Sequence, residues 1–223
     1  MSGAMMKRFW LRTVLTGLAL LLCAPAPAEA PRNLYLLKQE LRAYVNTGQY
    51  KRDIAAVSLR ASKYLQKRLR KKDARKLALV LDIDETALSN LPYFLANDFG
   101  YVPERWDAWI EQARAPALIP VQVVYDIAVQ NKVAVFFISA RKEAQRAATE
   151  HNLRDVGYET WTKAYFKADD DDRGEREFKI MTRRQIAAEG YQIIANIGDQ
   201  DSDLAGGFAE RAYRLPCPFY LTP

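Results

Sequence analysis

Three short clusters hold most of the side chains that could do chemistry in this sequence: Asp82-Ile83-Asp84-Glu85-Thr86, Ser139-Ala140-Arg141, and Gly198-Asp199-Gln200-Asp201-Ser202-Asp203. Asp82 and Asp84 bracket a single residue, and in extended backbone that spacing points both side chains the same way. Two adjacent carboxylates can divide labour. One stays ionised as nucleophile or metal ligand, while the other takes a proton and serves as general acid. Thr86 adds a hydroxyl two positions further on. Carboxylates gathered at one point repel unless a cation sits among them. With one His and two Cys in the chain, a Cys/His zinc site cannot be assembled, so the ligands must be oxygen. Oxygen-only ligation favours Mg²⁺.

Each cluster follows an apolar run, and those runs are what would position it. Leu77 to Leu81 leads into Asp82, Val133 to Ile138 into Ser139, and Ile193 to Ile197 into Gly198. Their length and β-branched content predict strands buried on both faces. Helical stretches lie between them, around Pro120 to Gln130, Glu143 to Arg154 and Glu175 to Glu189. The alternation predicts an α/β fold with a parallel sheet and helices on both faces. In such a sheet ligands bind at the carboxyl ends of the strands, where the three clusters would converge.

Ahead of this core, apolar residues at Leu34, Leu37, Leu41, Tyr44 and Val45, then at Ile54, Val57, Ala61, Tyr64 and Leu65, fall at helical spacing. They predict a small helical elaboration over residues 29–75 before a core over 76–223. The second helix ends in Lys67, Arg68, Arg70, Lys71 and Lys72, which suit the negative end of a helix dipole and read as a solvated helix end. The acidic tract Asp169 to Asp172 reads as a solvated loop, since consecutive carboxylates point in different directions.

The first 28 residues read as a signal peptide. Lys7, Arg8 and Arg12 precede the apolar run Val14 to Leu22, and Ala26-Pro27-Ala28 supplies small residues for cleavage. The run is short for a bilayer span. Leu22 before Cys23 fits poorly with lipoprotein attachment. The expected product is therefore a periplasmic or secreted protein with no stable membrane span. Removing residues 1–28 takes away three basic residues and no acids, which halves the formal charge from +6 to +3. That weakens any reading as a binder of nucleic acid polymers. Cys217 alone then remains, with no disulfide partner within the chain, and a thiol nucleophile is not expected there.

In order and wording, LVLDIDETALSN, FISAR, AAEGYQIIANIGDQ and RLPCPFYLTP resemble the haloacid dehalogenase (HAD) superfamily of phosphatases. Within it they are similar to the acid phosphatases of class B and C type (subfamily IIIB), a group that also holds plant vegetative storage proteins. The resemblance implies a HAD-like, Rossmann-like fold and hydrolysis of phosphate monoesters, with nucleotides, sugar phosphates and aryl phosphates as substrate classes. It implies that Asp82 attacks phosphorus to form an aspartyl-phosphate, and that Asp84 protonates the leaving oxygen and later deprotonates water. Mg²⁺ would be held by Asp82, the backbone carbonyl of Asp84, and Asp199, with Asp203 as a further ligand or a partner behind them. Ser139 and Thr86 would hydrogen-bond phosphate oxygens.

Phosphoryl transfer also needs positive charge near the nucleophile. Among Lys163, Lys167 and Lys179, the setting FKIMTRRQIAAEGY around Lys179 best matches the family pattern. Arg141 would reach the substrate or sit in a structural salt bridge. Tyr93, Phe94, Trp106 and Trp109 lie where this group builds its substrate entrance, although core packing accounts for most such aromatics. Three rivals stand beside the hydrolase: a storage or binding protein on the same fold, which an intact Asp82 argues against, a membrane-associated protein acting through the basic helix and Cys23, and a phosphotransferase using the same intermediate. Oligomeric state is left open, a homo-oligomer included.

Overall fold

The protein is described here from a computed structural model, which covers residues 30–71 and 73–222. The signal-peptide reading, with Cys23, lies outside those residues. The described part of the N-terminal unit, residues 30–36, starts a helix: Asn33 Oδ1 accepts the N–H groups of Tyr35 at 2.9 Å and Leu36 at 3.3 Å. Such a side-chain cap satisfies donors that have no partner within the helix.

Helix α1 spans Leu34–Asn46 and α2 spans Gln49–Leu69, joined through Gly48 at φ 73°. Strand β1 (Lys76–Leu81) follows, then three helices: α3 (Leu91–Ala96), α4 (Pro103–Glu111) and α5 (Ile119–Gln130). Next come β2 (Ala134–Lys142), α6 (Arg146–Asp155) and β3 (Lys163–Lys167). The chain closes with α7 (Glu175–Ala188), β4 (Tyr191–Gly198), the single turn α8 (Asp201–Leu204) and β5 (Ala212–Arg214). The strands pair in the order β3-β2-β1-β4-β5, every pair parallel. The three apolar runs are thus the three central strands. The edge strands β3 and β5 and the short helices α3 and α4 carried no periodicity to mark them.

Alternation along β1 divides the core. Leu79 and Leu81 enter the larger cluster, while Ala78 and Val80 enter a smaller one with Phe136, Ile138, Phe178 and Ile186. Both faces of the sheet are therefore covered. Helix α2 contributes Tyr50, Ile54, Val57, Ala61 and Leu65 to the larger cluster and packs on α5, so this helix shares the sheet's core. The Asp169–Asp172 tract is a largely exposed loop in which Arg173 pairs with Asp171. His151 stands exposed on α6, 3.3 Å from Asp155. Among the described residues, no helix is long and apolar enough to cross a membrane.

Candidate active site

The carboxyl ends of β1, β2 and β4 meet at one edge, and a cavity of about 890 Å³ opens there. Asp82 and Asp84 leave β1 and both line it, with Ile83 between them fully buried. Asp82 N–H donates to Ile197 O at 3.0 Å, which ties the first cluster to β4. Glu85 turns the chain away at φ 51° and is itself fully buried.

Lys179, one turn into α7, reaches back to this edge. Its Nζ donates to Asp82 Oδ1 at 2.8 Å and to Asp203 Oδ1, and it lies 2.8 Å from Glu175 Oε1. Lys179, the lysine singled out in the sequence, therefore lies directly beside Asp82. Lys163 and Lys167 point elsewhere, one over the Tyr165 ring and the other to Arg173 O.

Asp82, Asp199 and Asp203 offer carboxylate oxygens that all lie within 4.8 Å of one another, and all three residues are buried. Burial and the Asp203 charge push Asp82 well above the usual carboxylate range, against the pull of Lys179. Burial and Asp203 likewise push Asp199 up to about 7. Buried like charges at this spacing fit a divalent cation, which would compensate what one lysine leaves over. Asp203 is the most heavily engaged of the three. Its Oδ1 takes Lys179, its Oδ2 accepts the Gln200 N–H at 2.8 Å, and its main-chain oxygen accepts from Asn196 Nδ2 at 2.8 Å and from Arg183. It packs so closely on Gly198 that a Cβ there would come within 2.2 Å of it.

Arg141 binds Asp84. Nη2 donates to Oδ1 at 2.6 Å, Nε lies 3.2 and 3.1 Å from the two oxygens, and Nη1 donates to Thr149 Oγ1 at 2.9 Å. Burial opposes ionisation of Asp84, but Arg141 together with Asn90 outweighs it and holds the carboxyl below its usual range. Of the two roles open to Arg141, the salt bridge is the one occupied, at the cavity wall. Ser139 is fully buried, and its Oγ accepts the Arg141 N–H at 3.1 Å. The Thr86 hydroxyl is buried and finds no hydrogen-bond partner among the described residues.

Several contributors escaped the sequence reading. Asn90 Nδ2 donates to Asp84 Oδ1 at 2.7 Å and to Glu85 Oε2 at 3.0 Å, while its Oδ1 accepts from Trp109 Nε1 at 2.8 Å. Gln200 Nε2 donates to Asp199 Oδ2 at 2.6 Å. Both residues fall within the motifs quoted above, but residue type and spacing gave neither a role there, whereas Glu175 could have been found as the i−4 neighbour of Lys179. Of the four aromatics singled out, Phe94 and Trp106 line the cavity, joined by Phe99, Tyr101, Phe219 and Tyr220. Tyr93 is buried with its hydroxyl on Val102 N–H, and Trp109 is buried against Asn90. Burial pushes the Cys217 thiol far up, so it supplies no thiolate.

The family model for HAD superfamily, subfamily IIIB (acid phosphatase), matches residues 26–223. The chain belongs to this family. Acid phosphatase 1 of Solanum lycopersicum is 32% identical over 185 residues, 81% of this chain and 72% of that protein. Vegetative storage protein 1 of Arabidopsis thaliana is 27% identical over 183 residues, 80% of this chain and 67% of that one. The class C acid phosphatase of Bacillus anthracis superposes with a TM-score of 0.69 at 28% identity, covering 83% of this chain and 86% of the other. This HAD phosphatase is thus a phosphoric monoester hydrolase with the α/β fold of that class, and its acidic triad could hold a divalent metal.

Proposed function

We propose that this acid phosphatase is exported, uses Mg²⁺ and hydrolyses small phosphate monoesters, nucleotides among them, through an aspartyl-phosphate on Asp82. The observation that carries the reading is Lys179 Nζ at 2.8 Å from Asp82 Oδ1, at the base of a cavity of about 890 Å³. That volume is in the range of small-molecule sites. Phe94, Trp106, Phe219 and Tyr220 on its walls suit a flat leaving group such as a nucleobase or an aryl ring.

In the first step an Asp82 oxygen attacks phosphorus and the bond from phosphorus to the ester oxygen breaks, while Asp84 gives that oxygen its proton. In the second step Asp84 takes a proton from water. The water oxygen attacks phosphorus, the bond to Asp82 breaks, and phosphate leaves. Lys179 keeps positive charge beside the transferred group throughout. Asp82, the Asp84 carbonyl and Asp199 would hold Mg²⁺, which supplies charge neutralisation for carboxylates and phosphoryl oxygens alike, with Asp203 fixed behind them by Lys179 and Gln200. Ser139 and Thr86 would donate to phosphoryl oxygens, and the unpartnered Thr86 hydroxyl suits that part. Arg141 opposes protonation of Asp84 except in acid solution, which agrees with an acid pH for turnover.

The decisive experiment is Asp82→Asn in Mg²⁺-loaded protein, assayed on 5′-nucleotides and an aryl phosphate. Turnover should fall by a factor on the order of 10⁴ or more, as for a removed nucleophile. Acid-quenched wild-type protein should carry phosphate on residue 82. Hydrolysis surviving in the variant would overturn the mechanism, and no turnover from folded wild type would favour the storage reading. Amino-terminal sequencing of protein recovered outside the cytoplasm should begin at Glu29.

A further inference from the structure

Three carboxylates surround the Lys179 ammonium, and they are not held alike. Asp82 and Asp203 accept hydrogen bonds from it, and their side chains are only 5% and 2% exposed. Glu175 makes a charge contact at 2.8 Å, and its side chain is 18% exposed and lines the cavity. The hydrogen bond that Glu175 Oε1 does accept comes from Ser202 Oγ at 2.9 Å. Glu175 is thus anchored beside Lys179 but is the most accessible of its partners. A phosphoryl group arriving at Asp82 brings anionic oxygens to the same ammonium, which has only three protons to share.

We propose that Glu175 is a built-in competitor of the phosphoryl group for Lys179. It faces Lys179 when the site is empty, yields to the phosphate monoester, and returns as inorganic phosphate leaves. Glu175 therefore sets the site's affinity for phosphate without taking part in bond making. The inference rests on the reading above that Lys179 is the partner of the phosphoryl group. Glu175 also stands in the first turn of α7, where a carboxylate suits the helix dipole. Glu177 shares that turn and that charge, but it is exposed and does not line the cavity.

The test is calorimetric binding of inorganic phosphate to the Mg²⁺-loaded protein. Glu175→Gln should bind phosphate roughly three- to tenfold more tightly, the effect of losing one partly solvated charge contact. Glu177→Gln should stay within about twofold of wild type, which separates direct competition from a change in overall charge. Glu175→Asp keeps the charge and the helix start but withdraws the carboxylate from Lys179. It should tighten binding by an intermediate factor, and it keeps the test available if the glutamine variant folds poorly. Unchanged or weaker phosphate binding in both Glu175 variants would overturn the proposal. Lys179→Met tests the underlying reading separately: phosphate affinity must drop in that variant, and if it does not, Lys179 is not the phosphate's partner whatever the Glu175 variants do.

Discussion

Arg141 grips Asp84 along one edge, with Nη2 at 2.6 Å from Oδ1 and Nε within 3.2 Å of both carboxylate oxygens. The pair is largely buried, with Arg141 at 3% and Asp84 at 18% side-chain exposure. An ion pair of this kind does two things. It fixes the carboxylate's direction at the cavity wall, and it stabilises the ionised form over the protonated one. The group assigned to proton transfer is therefore held in place by the residue that resists its protonation.

Replacing Arg141 by Met should separate those effects. A buried carboxylate left without its partner costs about 3–5 kcal/mol. Asp84 is depressed in the folded protein, so its contribution is present above the unfolded pKa and is lost as pH falls through the folded value. The destabilisation read from urea melts should be largest at neutral pH and shrink in strong acid. In the variant Asp84 holds its proton to higher pH, so the limb of the pH–rate profile that reports it should move upward. An unmoved limb would remove Asp84 from the rate-limiting proton transfer.

Behind Asp84 stands Asn90, whose side-chain oxygen accepts from Trp109 Nε1. Trp109→Phe keeps most of the ring and deletes that donor, leaving a buried amide oxygen unpaired at a cost of about 1–3 kcal/mol. Asn90 then has less reason to present its NH₂ to Asp84. Hydrolysis of alkyl phosphates, whose leaving oxygen needs a proton, should fall more than hydrolysis of p-nitrophenyl phosphate, which needs it less. Equal losses on both substrates would mean that Trp109 serves only packing.

What the sequence made legible follows from which signals are local. Asp82, Asp84, Asp199 and Asp203 stand at the ends of apolar runs, so a period-two pattern and one topological rule were enough to bring them together. Lys179 needed the family pattern, because it reaches the edge from a helix 97 residues beyond Asp82 in the chain. Trp109 was read only as an entrance or core aromatic, and Asn90 and Gln200 only as members of motifs, because the hydrogen bonds through which they act run between side chains whose pairing residue type and spacing do not encode. The missed strand β5 has only three residues and is partly exposed, too short for any alternation to show.

Away from the site, Glu210 links α2 to the chain ahead of β5, accepting from Arg68 Nε at 2.8 Å and from the Tyr64 hydroxyl at 2.7 Å. The Arg68 hydrogen bonds hold the Glu210 carboxyl below its usual range, against the opposing pull of burial. Its stabilisation is present above the unfolded pKa and is lost as pH falls through the folded one. Glu210→Gln should cost about 1–2 kcal/mol near pH 7 and progressively less toward pH 3. Catalytic constants should be unchanged. A cost that does not vary with pH would show that the pair acts through shape and not through charge.

The acidic triad gives the opposite sign. In the metal-free protein Asp199 is raised to about 7 by burial and the neighbouring Asp203. Over the interval between the ordinary carboxylate range and pH 7 the native state therefore binds more protons than the unfolded chain, and stability falls as pH rises. EDTA-treated protein should melt at a lower temperature at pH 7 than at pH 5. A divalent cation favours the ionised carboxylates, so saturating Mg²⁺ should raise the melting temperature more at pH 7 than at pH 5. At a hundredfold excess over Kd the gain is about 2.7 kcal/mol, or roughly 5–10 °C for a chain of this length. Asp199→Asn removes one charge from the triad. It should flatten the metal-free pH dependence while weakening the response to Mg²⁺, and a variant that still gains the full Mg²⁺ shift would place the cation elsewhere.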